Sequence, residues 1–407
     1  MNVFDILEER GFIEQITHEQ EVKDLLKNER VTFYIGFDPT ADSLHVGHFI
    51  QVMVMKHMQN AGHRPIALVG GGTAKIGDPS GKTDMRKMLT PEQIDNNGEA
   101  IKKQLEKYLN LDGVNGFTEN NATWLDNLNY VQFIREIGSK FSVNRMLSAE
   151  CFKQRLESGL SFLEFNYMIM QGYDFLELYR RHNCRLQLGG NDQWSNIIAG
   201  SELIRKSDQG QAYGLTFKLL TTSEGKKMGK TESGALWIDP AKTSPYEMFQ
   251  YFRNVADSDV INCIKLLTFI PMEEIREMEK LEGADLNMVK ERLAFEFTSI
   301  VHGEEEARKS LEAAKALFVG GGDESNMPTT EMPASKFEEE VSFLDILIEV
   351  GLIASKGEGK RLISQNGISI NDEKVKEFAI TLSSSNFIDS EIKIKKGKKI
   401  FHKIKLV

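Results

Sequence analysis

The chain has 407 residues, room for two to four domains with cores of their own, and is 41% hydrophobic, 27% charged and 9% aromatic, an ordinary globular composition. No apolar run approaches the length of a membrane span, and the opening "MNVFDILEERG" is acidic and amphipathic, so a cytoplasmic protein with no membrane partner is expected. The net charge is −10, but residues 355–407 carry 12 Lys/Arg against 6 Asp/Glu, so a +6 tail follows a −16 body; the 3 cysteines, Cys151, Cys184 and Cys263, are isolated and support neither a disulfide framework nor a zinc ribbon.

In chain order, "VTFYIGFD" (31–38) and "RPIALVGGG" (64–72) read as buried strands. Between them "LHVGHFIQVMVMKHMQNAG" has helical apolar periodicity and a stop at Gly62. Strand, helix, strand at this spacing predicts a parallel sheet, with ligands beyond the carboxyl ends of its strands. His45 and His48 lie there, three apart around Gly47. Zinc-binding helices place two histidines four apart with a glutamate between them; this pair has Val46 and Gly47 instead, and no resident metal is expected. Incidental polarity at a helix start remains the plain alternative.

"IGDPSGKT" (76–83) approximates a P-loop, but Ile76 occupies its first glycine position and Pro79 interrupts the run of amides. What remains is Asp78 close to Lys82 and Arg86, an arrangement suited to a zwitterion or to solvent. "FLEFNYMIMQGYDFLELY" (162–179) reads as a helix with Tyr167, Gln171 and Asp174 at i, i+4 and i+7, a polar stripe among apolar neighbours that suggests a lined pocket. "CRLQLGGNDQW" (184–194) is a strand breaking at two glycines, and "IIAGSELIRK" resumes a helix. "SEGKKMGKTESG" (223–234) brackets a glycine with lysines, which suits a phosphate chain or a plain surface turn. Residues 246–318 read as helices, and "GGGDESNMPTTEMPAS" (320–335) as a linker ahead of a small basic domain starting near Val341.

Together "PTADSLHVGH" and "KMGKT" resemble the HIGH and KMSKS signatures of class I aminoacyl-tRNA synthetases. "YIGFDPTADSLHVGH", "GGGTAKIGDPSGK", "YDFLELY" and "LGGNDQW" narrow the resemblance to the bacterial-type tyrosyl family, and "SFLDILIEVGLIASKGEGKRLISQNGISINDEKV" (342–375) is similar to its S4 RNA-binding module. The resemblance implies an α/β Rossmann-like catalytic domain over 1–245 with an insertion at a homodimer interface. An α-helical anticodon-side domain over 246–319, a linker over 320–340 and an α+β S4-type domain over 341–407 follow. It implies that tyrosine attacks the α-phosphate of ATP, which arrives with Mg²⁺, and that the tyrosyl group passes to the 3′ end of tRNA(Tyr).

By the same resemblance Thr40, His45, Lys82, Lys227, Lys230 and Thr231 stabilise the phosphates. Tyr34 and Asp174 bind the substrate phenol, and Asp78, Tyr167 and Gln171 its ammonium. Gly36, Asp38, His48, Gly190, Asp192, Gln193 and Lys230 surround the nucleotide, with Gly47 small so as to admit the adenine. Lys360 and Arg361, with the "KIKKGKK" run at 393–399, contact RNA. Ile35 and Gln51 depart from some relatives beside the ATP site, which touches ATP affinity and not the reaction. The rival tryptophanyl relative would need a pocket for an indole N–H and lacks the S4-type tail. A non-catalytic RNA-binding paralogue is expected to have lost signature residues that stand here.

Overall fold

A computed structural model describes residues 2–80, 88–231, 234–319, 327–371, 373–397 and 400–407. They divide into two compact units, one of residues 1–228 with 261–280 and one of residues 229–260 with 281–407.

The first unit is built on a 6-stranded sheet of β1 (Ile13–Ile16), β2 (Thr32–Phe37), β3 (Arg64–Val69), β4 (Phe117–Asn120), β5 (Cys184–Gly190) and β6 (Tyr213–Phe217), in the order β1-β6-β5-β2-β3-β4. Strands β2 to β6 are parallel and β1 closes the edge antiparallel to β6. Phe33, Tyr34, Ile35 and Phe37 of β2 are all buried, as a parallel strand covered on both faces requires. The chain leaves β2 for β3 and β4 on one side and returns as β5 and β6 on the other. Strand order therefore reverses between β2 and β5, which opens a crevice at their carboxyl ends.

Helix Val46–Asn60 is apolar on most sides, with Phe49, Val52, Met53 and Met55 among its buried residues. Helix Phe162–His182 opens with a Ser161/Glu164 capping box and closes with Arg180, Arg181 and His182 ahead of a left-handed Asn183, so both termini match the helix dipole. Helix Trp194–Asp208 packs along it and follows β5, so the two frame the crevice from one face.

In the second unit helices Pro245–Arg253, Leu286–His302 and Glu304–Val319 pack together. The last two lie in a stretch that reads as one long helix. The chain breaks at Gly303, whose φ of +99 disfavours any side chain. The C-terminal core is a 5-stranded sheet of Thr329–Met332, Ile368–Ile370, Glu373–Lys374, Glu391–Lys396 and Ile400–Leu406.

This corrects the linker expected over 320–340. Thr329–Met332 pairs parallel with Ile400–Leu406, Met332 is buried in the C-terminal core, and Phe337 is buried with it. Residues 320–326 lie outside the described ones. No helix among the described residues is long and apolar enough to cross a membrane.

Candidate active site

Tyr34 stands in the middle of β2, its Cα paired with Ile66 on one side and Gln187 on the other. Its side chain is 1% exposed, the ring lies 5.3 Å from Phe175, and Oη has no hydrogen-bond partner among the described residues. Burial, and then the charge of Asp174, push the phenol pKa well above its ordinary value. Asp174, 2% exposed, comes from helix Phe162–His182 and accepts hydrogen bonds from Trp124 Nε1 at 2.7 Å and Asn121 Nδ2 at 2.9 Å. Burial outweighs both donors and lifts this carboxyl to about 8, with the carboxylates of Asp38 and Glu177 adding to the rise.

Asn121 continues the chain. It accepts the Gly72 N–H at 2.7 Å and donates to Thr73 Oγ1 at 2.9 Å. Thr73 in turn donates to Asp38 Oδ1 at 2.7 Å, and Tyr167 Oη donates to Asp38 Oδ2 at 2.8 Å. One hydrogen-bonded path thus joins Tyr167, Asp38, Thr73, Asn121, Asp174 and Trp124. Each acceptor on it is held by a donor from a different segment, so the positions of the acids are set before any ligand arrives.

A second cluster surrounds Asp78, which accepts from the Ser80 N–H at 2.9 Å and Gln193 Nε2 at 2.7 Å. Burial lifts its carboxyl to about 6, and the Asp38 charge pushes the same way. Asn196, 1% exposed, shares its amide protons among Gln171 Oε1 at 3.0 Å, Ser80 Oγ at 3.2 Å and Gln193 Oε1 at 3.3 Å. Asp78, Gln171 and Gln193 therefore belong to one cluster, while the Tyr167 hydroxyl goes to Asp38. Asp38 raises the pKa of both Asp78 and Asp174, and a pocket with this concentration of acids favours a cation.

The histidine loop leaves β2 at its carboxyl end. Gly36 and Thr40 are exposed there, and the Thr40 N–H donates to the Asp38 carbonyl at 2.8 Å. His45 takes the N-cap position of helix Val46–Asn60, and its ring stacks on that of His48 with centroids 3.8 Å apart and planes at 15°. A Cβ on Gly47 would sit 2.9 Å from His45 Cε1, so a side chain here would push that imidazole from its present place. The fold itself supplies a reason that the expectation of an adenine contact did not contain. After β5, buried Gly190 leads into the short turn Asn191–Gln193 that carries Asp192.

Lys82 lies outside the described residues. The lysine loop is described in two parts. In the first unit exposed Lys227 pairs across a short bridge with Thr221, and in the second Lys230–Thr231 forms a strand antiparallel to Gly234–Ala235. Lys360 and Arg361 are exposed on helix Lys356–Ser364 of the second unit. No group of three or more His, Cys, Asp or Glu among the described residues is arranged to hold a metal.

Sequence reasoning missed Asn121, Trp124, Thr73, Asn196 and Gln187. Gln187 is buried on β5 beside Tyr34, with its Oε1 unpartnered among the described residues. A polar residue inside the apolar run "CRLQLGG" was the one available signal.

Residues 26–319 match the family model "tRNA synthetases class I (W and Y)", and residues 323–404 match "Tyrosine--tRNA ligase SYY-like C-terminal domain". The chain is 62% identical over 405 residues to a tyrosine–tRNA ligase of Clostridium perfringens, covering 100% of this chain and 99% of that protein. It is 59% identical over 406 residues to one of Acetivibrio thermocellus, covering 100% of both. Among solved structures, a C-terminally truncated mitochondrial tyrosyl-tRNA synthetase of Aspergillus nidulans superposes with a TM-score of 0.70 at 28% identity, over 78% of this chain and 94% of that one.

Proposed function

The chain belongs to the class I tRNA synthetases of the tryptophan and tyrosine group, and we propose that its acid-lined pocket selects tyrosine and aims it at the α-phosphate of ATP. Its activity is the ligation of tyrosine to tRNA with ATP as substrate. The observation that carries the pocket assignment is an unpartnered donor–acceptor, Tyr34 Oη, buried within electrostatic reach of Asp174, whose own donors Asn121 and Trp124 are in place.

A phenol hydroxyl uses both: it donates to Asp174 and accepts from Tyr34. An indole N–H can only donate and leaves Tyr34 unpaired, while a phenyl ring leaves Tyr34 unpaired at a cost of about 1–3 kcal/mol and brings Asp174 no donor to add to Asn121 and Trp124. At the other end Asp78, Tyr167 and Gln171 hold the ammonium, with Asp38 behind the Tyr167 hydroxyl. A neighbouring cavity of about 270 Å³ presents Lys140, Arg145 and Lys206 against Glu202, with Met168 and Trp194; its excess of cations would repel an ammonium, which argues against it as the amino-acid site.

The substrate carboxylate is already a nucleophile, so the first step needs alignment and charge stabilisation rather than a general base. We assign phosphate stabilisation to Thr40, His45, Lys82, Lys227, Lys230 and Thr231, and the nucleotide's surroundings to Gly36, Asp38, His48, Gly190, Asp192 and Gln193. Mg²⁺ enters with ATP. The amides at the start of helix Val46–Asn60 add a positive dipole end for the polyphosphate. The carboxylate oxygen bonds to the α-phosphorus as pyrophosphate leaves, and a terminal ribose hydroxyl of tRNA then displaces AMP. The catalytic body over 1–245, a helical segment over 246–319 and a basic C-terminal domain with Lys360 and Arg361 toward RNA complete the assignment.

The working form is a homodimer in the cytoplasm. Tyr130, Val131, Val143, Leu156 and Phe162 are all exposed within one short stretch of the first unit, an apolar load that a second copy would cover. Phe162→Glu should shift the mass in light scattering from dimer to monomer; an unchanged dimer removes this surface from consideration. For the pocket, the deciding experiment is ATP–pyrophosphate exchange with each of the twenty amino acids. Exchange driven best by any amino acid other than tyrosine overturns the reading.

A further inference from the structure

We propose that Gln104, assisted by Asn97, is a positioning residue that sets the histidine loop for adenylate formation, a role that rests on the assignment of His45 to the ATP phosphates. Both amides lie on helix Pro91–Tyr108, which turns Ile94, Gly98, Ile101 and Leu105 inward. At i and i+7 they occupy one flank of that helix, next to the buried face. From there they reach the loop between β2 and helix Val46–Asn60.

Gln104 grips the loop at two points. Its Oε1 accepts the Leu44 N–H at 2.8 Å, and its Nε2 donates to Ser43 Oγ at 3.0 Å. Ser43 Oγ also donates to the Leu44 carbonyl at 2.8 Å, so Gln104 holds the 43–44 peptide directly and the 44–45 peptide through Ser43. Asn97 Nδ2 holds the start of the same loop by donating to the Pro39 carbonyl at 3.1 Å. Ser43 and Leu44 are each 1% exposed, so water does not replace these partners when the amide is removed.

Leu44 directly precedes the N-cap residue His45. The plane of the 44–45 peptide fixes where the His45 backbone N–H points, and that N–H faces His48 Nδ1 at 3.5 Å. It also fixes the exit of the His45 side chain, which stacks on His48. A small rotation of this peptide would turn both imidazoles and the first amides of the helix together. The clamp approaches from the side of helix Pro91–Tyr108 and belongs to neither carboxylate cluster of the amino-acid pocket. Its effect should therefore fall on the ATP half of the reaction and spare amino-acid binding.

The test compares Gln104→Met, Gln104→Glu, Asn97→Ala and His45→Ala with the parent full-length protein. Single-turnover adenylate formation at saturating ATP gives the rate constant, equilibrium dialysis the tyrosine dissociation constant, and thermal melting confirms folding. Gln104→Met keeps the bulk and loses both hydrogen bonds; it should slow adenylate formation by about tenfold, with tyrosine affinity unchanged within about twofold. Gln104→Glu keeps the acceptor for Leu44 and should recover most of the rate, whereas a space-filling role would leave Gln104→Met as fast as Gln104→Glu. Asn97→Ala should cost about threefold. If His45→Ala is slow and Gln104→Met is within about twofold of the parent, the clamp is refuted while the histidine assignment stands. If tyrosine affinity falls in step with the rate in Gln104→Met, the residue is a general support and the proposal fails. If His45→Ala itself leaves the rate unaltered, the assignment of the loop and the clamp built on it both fall.

Discussion

In the first unit Asp38 lies within electrostatic reach of both Asp78 and Asp174, and hydrogen-bond donors from other segments hold each of the three. In the C-terminal sheet most of the charges lie at least partly in solvent, with Lys403 the buried exception. Strand Glu391–Lys396 buries Ile392 and Ile394 and turns Lys393 and Lys395 to the other face, over the Phe401 ring at 6.0 and 4.9 Å. Both regions are assigned to recognition, yet one pays desolvation to fix a few dipoles and the other leaves its cations in water. A small zwitterion must be told from near-isosteres, which needs buried groups whose loss is costly. A polyanion is first gathered by many weak, screened contacts.

Not every lysine of the tail is available for that work. Lys396 donates to the Leu352 carbonyl at 2.7 Å and to Glu358 at 2.8 Å, and Lys403 pairs with Glu391 at 2.7 Å. Lys398 and Lys399 of the same run lie outside the described residues. The exposed Lys360, Arg361 and Lys405 are stronger choices for phosphate contact.

The largest expected effect separates the two regions outright. Because Thr329–Met332 is a strand of the C-terminal sheet, the chain should be cut after residue 319 rather than within that strand. The truncated protein should keep pyrophosphate exchange within about twofold, while tRNA charging falls on the order of a thousandfold. Full-length charging should weaken steeply with salt, by about 0.9 in the log–log slope for each duplex phosphate contact, and the truncated form should lose most of that slope. Charging that survives with the same slope would make the tail a surface decoration.

Next come the loops at the phosphate end. His45→Ala and Lys227→Ala should each raise the barrier to adenylate formation by about 2–4 kcal/mol, on the scale of one lost oxyanion donor. ATP binding should weaken by less. A normal single-turnover rate constant with a much poorer ATP dissociation constant would move these side chains from the transition state to ground-state binding.

The buried acids give a pH signature that an exposed basic surface cannot share. Free Asp174 is lifted to about 8 and Asp78 to about 6, and the substrate phenol and ammonium both favour the ionised carboxylates. Binding should therefore lower both pKa values and release protons. Tyrosine affinity should rise with pH by up to about tenfold per unit as Asp174 ionises, levelling off above about 8. Calorimetry in buffers of different ionisation enthalpy reads the proton count directly. Asp174→Asn should remove the release near neutral pH, and a parent protein releasing no protons between pH 6 and 8 would contradict the assignment.

Much of this was legible in the chain, for reasons that differ along it. The strand runs at 31–38 and 64–72 have no competing period, and the stripe of Tyr167 and Asp174 survives because seven residues bring a helix back to the same face. Asn121, Asn196 and Gln104 were not legible. Each is an amide in a segment with polar neighbours, and nothing in "EAIKKQLEKY" marks Gln104 as turned toward another loop rather than solvent. The strand Thr329–Met332 was hidden by its composition: "TTEM" between prolines offers one buried residue and draws its stability from pairing with Ile400–Leu406. Convergence of distant segments is a tertiary fact, and single-residue chemistry does not encode it.

The smallest effect probes the inside of the pocket. With Tyr34 and Asp174 both proposed to face the phenol, their bonds to it would differ in kind. Asp174 offers an acceptor that ionisation strengthens and whose position Asn121 and Trp124 fix. Tyr34 offers a neutral hydroxyl whose phenol pKa burial raises, so it stays protonated and donates a single bond. Tyr34→Phe removes that bond without leaving a charge unpaired, and a phenylalanine substrate then no longer faces the orphaned Tyr34 hydroxyl. The preference for tyrosine over phenylalanine, as the ratio of kcat/KM in pyrophosphate exchange, should narrow by about five- to tenfold, the worth of one neutral hydrogen bond. The salt dependence of tRNA charging should not move. Asp174→Asn should narrow the same ratio further, since it removes the charge-assisted partner. If Tyr34→Phe leaves the ratio where it was, the hydroxyl does not reach the substrate, and discrimination rests on Asp174 and the donors behind it.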